Sequence, residues 1–164
     1  TRTITVSGPT SPAGFSSAID GAISRYNAVG TTLTFSRVAS GADINITLIN
    51  TGQYIASSGF PSSTGAPYGT VKYAKMYSNY SSGFMTTVIA HEIGHCIGFR
   101  HTDYMNRSYS CGSGGDEGAG SIGANLIPNT PSKEDAKSWM LACLSSSTDR
   151  PFNTNDKTAL KYLY

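Results

Sequence analysis

The sequence predicts a mixed α/β (α+β) fold in a single domain over residues 1–164. Three observations predict it. The length suffices to bury one core of ordinary size. Several short runs alternate apolar and polar residues, as half-buried strands do. Other segments repeat apolar residues every three or four positions, as helices do.

Arg2 to Val6 reads R-T-I-T-V and predicts a first strand, which Pro9 and Pro12 break. Phe15, Ile19, Ala22, Ile23 and Tyr26 then recur at helical spacing, predicting a helix from about Ser16 to Ala28 with Gly30 as its stop. Thr32 to Val38 alternates again, and Asp43 to Ile49 (D-I-N-I-T-L-I) does so more cleanly. Between Gln53 and Tyr68 the pattern weakens under Gly59, Pro61, Gly65 and Pro67, leaving a short edge strand near Tyr54 to Ser58. Thr70 to Tyr77 reads as the last strand. From Phe84 to Gly98 the period is helical, with Val88, Ile89, Ile93, Cys96 and Ile97 available for burial. A long loop-like stretch follows, including the glycine-rich run Gly112 to Gly123. A final helix is expected over about Asn155 to Tyr162, capped by Thr154 or Asn155, with Ala159, Leu160 and Leu163 on its apolar side.

Composition narrows the function classes. The net charge is +2, only 13% of residues are charged and no Lys/Arg run stands out, so nucleic acid is not an expected partner. No apolar run reaches the length of a membrane span. A polar complement of Ser, Thr, Asn, Gly and Tyr suits an extracellular protein, and a secreted location is expected. Thr1 is not an initiator Met, so the chain is expected to start at a cleavage or other boundary, with a propeptide in the precursor. Asn45, Asn79 and Asn106 open N-x-S/T sequons, which matter only in a source that glycosylates Asn.

The segment that carries chemistry is H-E-I-G-H-C-I-G-F-R-H-T-D, residues 91–103. His91 and His95 stand four apart, so on a helix their rings share one face and can share a metal. Glu92 lies about 100° further round, beside the ligands, where it can reach a metal-bound water without ligating. His101 would point away if the helix continued. Gly98 sits where a left-handed stop is needed, after which His101 can return to the same ion. Three nitrogens and one open position describe a catalytic rather than a structural zinc. Such an ion lowers the pKa of its water and polarises a carbonyl, with Glu92 as general base. Glu117 and Glu134 are the rivals for third ligand, but Glu117 lies among glycines and Glu134 follows Pro131 in a short polar stretch.

These residues resemble the extended zinc signature of the metzincins, and H-E-I-G-H followed by H-T-D is most similar to the dual-action HEIGH metallopeptidases. The resemblance implies zinc on His91, His95 and His101, with Glu92 as base. It implies a metzincin-like fold: a twisted mixed sheet with an active-site helix, an upper subdomain of about 1–98, and a loop-rich lower subdomain of about 99–164 carrying a Met-turn and a C-terminal helix. Met140, in S-W-M-L-A-C, matches the Met-turn, with Met105 as the rival. The edge strand, Ile55, Ala56, Ser57 and Ser58, would pair with an extended substrate. One departure is Ala142, where some metzincins carry a tyrosine two residues after that methionine. Tyr104 and Tyr109 would have to substitute for it.

Cys111 and Cys143 both fall in the implied lower subdomain, and a bridge between them would close a loop of about 33 residues, contributing roughly 3–4 kcal/mol. Cys96 reads as a buried thiol. Asp103 either orients a ligand histidine or ties the loop. Calcium at Asp116 and Glu117 has no ligand pattern behind it. Trp139 is expected to pack near the Met-turn.

The expected function is a secreted, monomeric, zinc-dependent endopeptidase acting on protein or peptide substrates. A catalytically silent zinc-binding or adhesive module and a zinc hydrolase of non-peptide amides are the competing readings. Cleavage-site preference, physiological substrate, latency and the oxyanion-stabilising residue are not legible in the chain.

Overall fold

The structure is a computed structural model that describes residues 1–121 and 123–164. The elements are β1 (Arg2–Ser7), α1 (Ala13–Asn27), β2 (Leu33–Arg37), β3 (Ile44–Ile49), β4 (Ala56–Ser57), β5 (Thr70–Ala74), α2 (Ser82–Cys96), α3 (Ser108–Cys111) and α4 (Thr154–Leu163). The strands form one sheet in the order β2-β1-β3-β5-β4, parallel throughout except that β4 runs antiparallel to β5.

The two-residue period of the strands sorts the sheet's faces. Ile4, Val6, Leu33, Phe35, Ile44, Ile46, Val71 and Tyr73 are buried. Helix α1 covers this face, with the Phe15 ring 4.7 Å from Tyr73 and the Tyr26 ring 4.9 Å from Phe35. The other face carries Thr3, Thr5, Thr34, Asn45, Thr47 and Lys72. Parallel sheets are usually covered on both sides. Here the polar residues satisfy one another instead: the Thr3 and Thr34 hydroxyls lie 3.0 Å apart, and Asp43 accepts from both the amide and the hydroxyl of Thr5.

Helix α2 is buried nearly all round, from Phe84 to Cys96, which marks it as the central helix of the molecule. Val88, Ile89, Ile93, Cys96 and Ile97 are all buried, as their spacing predicts. The segment between α2 and α4 has little regular structure and is tied by the Cys111–Cys143 disulfide, whose Cα atoms are 5.1 Å apart. Cys96 is the free, buried thiol. Trp139 packs between Phe99 and Phe152, with ring centroids 5.0 Å from each.

Several boundaries differ from the sequence reading, each for a local reason. The edge strand is Ala56–Ser57 rather than Ile55 to Ser58. Ile55 still contributes its carbonyl to the Ala74 amide at 2.8 Å, but Ser58 leaves the ladder and turns its hydroxyl towards α2. Strand β5 stops at Ala74 because Lys75–Tyr77 wind into a 3-10 turn, which Ser78 closes on the Lys75 carbonyl. Helix α1 starts at Ala13, directly after Pro12, three residues before the predicted Ser16. Helix α2 runs from Ser82, where the Ser81 side chain caps the Phe84 amide, to Cys96. The cap of α4 is Asn153, not Thr154 or Asn155: a capping box pairs Asn153 Oδ1 with the Asp156 amide and Asp156 Oδ2 with the Asn153 amide. The short helix α3 lies within the stretch read as loop.

Candidate metal centre

Helix α2 presents His91 and His95 one turn apart and ends where the third histidine requires. Gly98 has φ +116°, a conformation an L side chain rarely adopts. The Phe99 amide bonds the Gly94 carbonyl and the Gly98 amide bonds the His95 carbonyl, both at 2.9 Å, the paired bonds of a Schellman stop. The remaining end carbonyls are also met. The Tyr68 amide reaches Cys96 O at 3.0 Å, and the Tyr164 hydroxyl donates to Ile97 O. The chain reverses here, and His101 returns alongside His95.

The three imidazoles converge. One nitrogen from each of His91, His95 and His101 lies within 4.8 Å of the others, and among the described residues these side chains form the group able to hold a metal ion. Their outer nitrogens are all engaged. His91 Nδ1 donates to the Trp139 carbonyl at 2.8 Å and His95 Nδ1 to the Phe99 carbonyl at 2.7 Å. His101 Nδ1 donates to Glu117 Oε1 at 2.9 Å. Tying Nδ1–H fixes the tautomer and leaves each Nε2 lone pair free for an ion, and His95 Nε2 and His101 Nε2 are 3.2 Å apart. Burial, aided by the neighbouring imidazoles, holds His91 well below the ordinary histidine range and His95 down at about 4. Both are therefore neutral at pH 7, the form that ligates. The donor set fits a metal that accepts three nitrogens.

Glu92 is 6% exposed, and burial pushes its carboxyl up to about 7, with the Ser58 hydroxyl opposing that rise. Ser58 Oγ donates to Glu92 Oε2 at 2.5 Å.

Beneath the helix a tight turn, Ser138 to Leu141, is closed by the Leu141 amide on the Ser138 carbonyl at 3.3 Å. It serves the site twice: Trp139 O holds His91, and Met140 O accepts from the Thr102 amide at 3.0 Å, next to His101. Met140 is fully buried against Gly94, where an added Cβ would lie 2.6 Å from the Met140 sulfur and 3.0 Å from Trp139 Nε1. Gly94 is therefore a site residue that sequence reasoning missed. The only signal was a helix-interior glycine, which costs about 1 kcal/mol against alanine and needs a packing reason.

Asp103 resolves to the loop-tying role. It is fully buried, with Oδ1 accepting from the Ala142 amide at 2.9 Å and Oδ2 from the Ser110 hydroxyl at 2.5 Å. Ser110 Oγ in turn accepts from the Cys143 amide at 3.0 Å, beside the disulfide. Neither glutamate rival joins the histidine cluster. Glu117 supports His101 from outside, a role the sequence did not suggest, and Glu134 accepts from Asn106 at 2.8 Å. Asp116 accepts from the Gly118 amide at 2.7 Å. Tyr109 is half-exposed. Tyr104 and Met105 line a largely apolar cleft of about 510 Å³ that runs from His101 towards α4.

The family model described as dual-action HEIGH metallo-peptidase matches residues 1–164. Among solved structures the chain is similar to one titled structure of myroilysin, at 14% identity and a TM-score of 0.64, covering 99% of this chain and 79% of that one. A second myroilysin crystal structure matches at 17% identity and a TM-score of 0.63, covering 99% and 82%. Among curated proteins no match is found. The mixed sheet and central helix are the metzincin-like fold that the sequence resemblance implies.

Proposed function

The chain belongs to the dual-action HEIGH metallopeptidase family, and on that footing we propose that it is a secreted zinc endopeptidase in which His91, His95 and His101 hold the ion and Glu92 is the general base. One observation carries the reading: three imidazoles, each with Nδ1 tied and Nε2 turned inward, meet beside a buried carboxylate that is not among them. A purely structural site has no use for that carboxylate, which argues against a silent or adhesive module.

Zinc, when bound, supplies Lewis acidity to a water and to the substrate carbonyl. The residues do the rest. His91 and His95 are rigid because the Trp139 and Phe99 carbonyls hold them, and Glu117 holds His101. Glu92, with one oxygen bonded to Ser58, has Oε1 left to accept the proton of the attacking water and return it to the leaving amine. Met140, in its turn under Gly94, is the floor of the site, the role the family resemblance implies. The outer edge of β4 offers backbone groups to an extended peptide, which would add a strand there.

The test is cleavage of an unfolded protein by the wild type and by Glu92→Ala, each carrying one equivalent of zinc. The reading expects cutting by the wild type and a loss of several orders of magnitude in the variant. If neither cuts an unfolded protein while both retain zinc, the endopeptidase reading fails. Turnover confined to acyl-amide substrates would favour a non-peptide hydrolase.

A further inference from the structure

Ser58 stands at an unusual junction. It is the residue immediately after β4, the sheet's free edge, and its side chain does not point to solvent or back to the ladder. Its hydroxyl lies 2.5 Å from Glu92 Oε2 and 3.2 Å from the Glu92 carbonyl oxygen, one turn before the helix end that carries His95. A hydroxyl bonded to a carboxylate at that distance is charge-assisted, and such bonds are roughly twice as strong as neutral ones. Glu92 has no other side-chain partner among the described residues. Its terminal torsion is otherwise soft, because sp³–sp² rotation is broad and roughly two-fold. A carboxylate free to rotate would offer its two oxygens interchangeably. One pinned at Oε2 offers only Oε1.

We propose that Ser58 is a positioning residue for the reaction, fixing Glu92 through Oε2 so that Oε1 alone serves as the base, and so joining the substrate edge to the catalytic carboxylate. The inference rests on the reading of Glu92 as general base. Ser58 keeps its own proton throughout; the proton that moves travels from water to Oε1 and on to the leaving amine. Because the same residue ends the edge strand, a peptide seated along β4 lies against the segment that aims the base.

The decisive comparison is Ser58→Thr against Ser58→Val, two side chains of one shape that differ in the hydroxyl. Both are assayed on a peptide cleaved by the wild type, with zinc content and thermal unfolding measured alongside. Threonine is expected to keep most of kcat. Valine is expected to lower kcat on the order of 10- to 100-fold with KM and zinc stoichiometry unchanged, the scale of a misplaced reacting group. Equal kcat in the two variants overturns the proposal, as does a rise in KM at constant kcat, which would make the hydroxyl a substrate contact. Loss of zinc from the valine variant but not the threonine one would reassign Ser58 to metal support, and also overturns it. A wild type that cleaves no peptide instead removes the endopeptidase reading, and a Glu92→Ala variant that keeps the wild-type kcat removes the general-base reading, so those failures remain distinct from the failure of Ser58.

Discussion

Glu117 and Asp156 show how single carboxylates do different work in this molecule. Glu117 reaches His101 from within the glycine-rich loop, with Arg107 Nε 3.6 Å from its other oxygen. Glu117→Ala should weaken zinc binding about 10- to 100-fold, as removal of an outer partner of a ligand histidine usually does; competition against a chromophoric chelator measures it. His101→Ala should abolish stoichiometric binding in the same assay. Asp156 is buried, and burial pushes its carboxyl up to about 6 against the amides of Asn153 and Trp139 that favour the charge. A raised folded pKa contributes stability that is full below the unfolded value, about 3.9, and lost as pH rises through about 6. Urea unfolding of wild type and Asp156→Asn should therefore show the wild type's relative stability falling between pH 4 and pH 7 and flat above. Of the candidate site, helical period made His91, His95 and Glu92 legible by putting them on adjoining faces, and the spacing past Gly98 added His101. Glu117, 16 residues from its partner through a loop with no periodicity, had no local signal.

Helix α2 and the turn Ser138 to Leu141 fit each other through one missing methyl group. Gly94→Ala raises helix propensity, worth about 1 kcal/mol on an exposed helix, yet it drives a Cβ to 2.6 Å from the Met140 sulfur. We expect net destabilisation of about 1–3 kcal/mol from overpacking, read in thermal unfolding, with weaker zinc binding because the same turn holds His91. Element existence was legible wherever a period was long: β1, β3, α1 and α2 all lie where the pattern puts them. Ends were less so. The cap of α4 fell to Asn153 because the reciprocal bond to Asp156 outweighs what Thr154 or Asn155 offers, a choice that depends on backbone angles rather than residue type. The edge strand is only Ala56–Ser57, and Ser58 just past it turns its hydroxyl to Glu92, a contact between residues 34 apart that no alternation encodes.

At the scale of the whole molecule, the sheet and α1 form a conventional core, while residues 99–153 depend on specific ties. Those ties are the Asp103–Ser110 network, the grip of Arg100 on the Ala119 and Gly123 carbonyls, and the disulfide. The metal would be a further one. Zinc at 100 times its dissociation constant should stabilise the fold by about 2.7 kcal/mol, so a chelated sample should melt at a lower temperature than a loaded one. The resemblance made the metzincin-like plan legible in advance, and the Cys111–Cys143 pairing with it. The route of the glycine-rich loop was not, because glycine permits so many backbone conformations that its path is set by Arg100 reaching out to it and by Glu117 reaching back from it to His101.

The disulfide also decides what self-digestion would look like. Residues 112–117 are exposed and rich in glycine, the kind of segment a peptidase nicks first, and they lie inside the loop that Cys111 and Cys143 close. A molecule cut there would keep both halves on one covalent frame and migrate as an intact chain until a reductant released the piece bearing Glu117. Autolysed and intact enzyme would thus be indistinguishable by mass on a non-reducing gel, while differing in how firmly His101 is held.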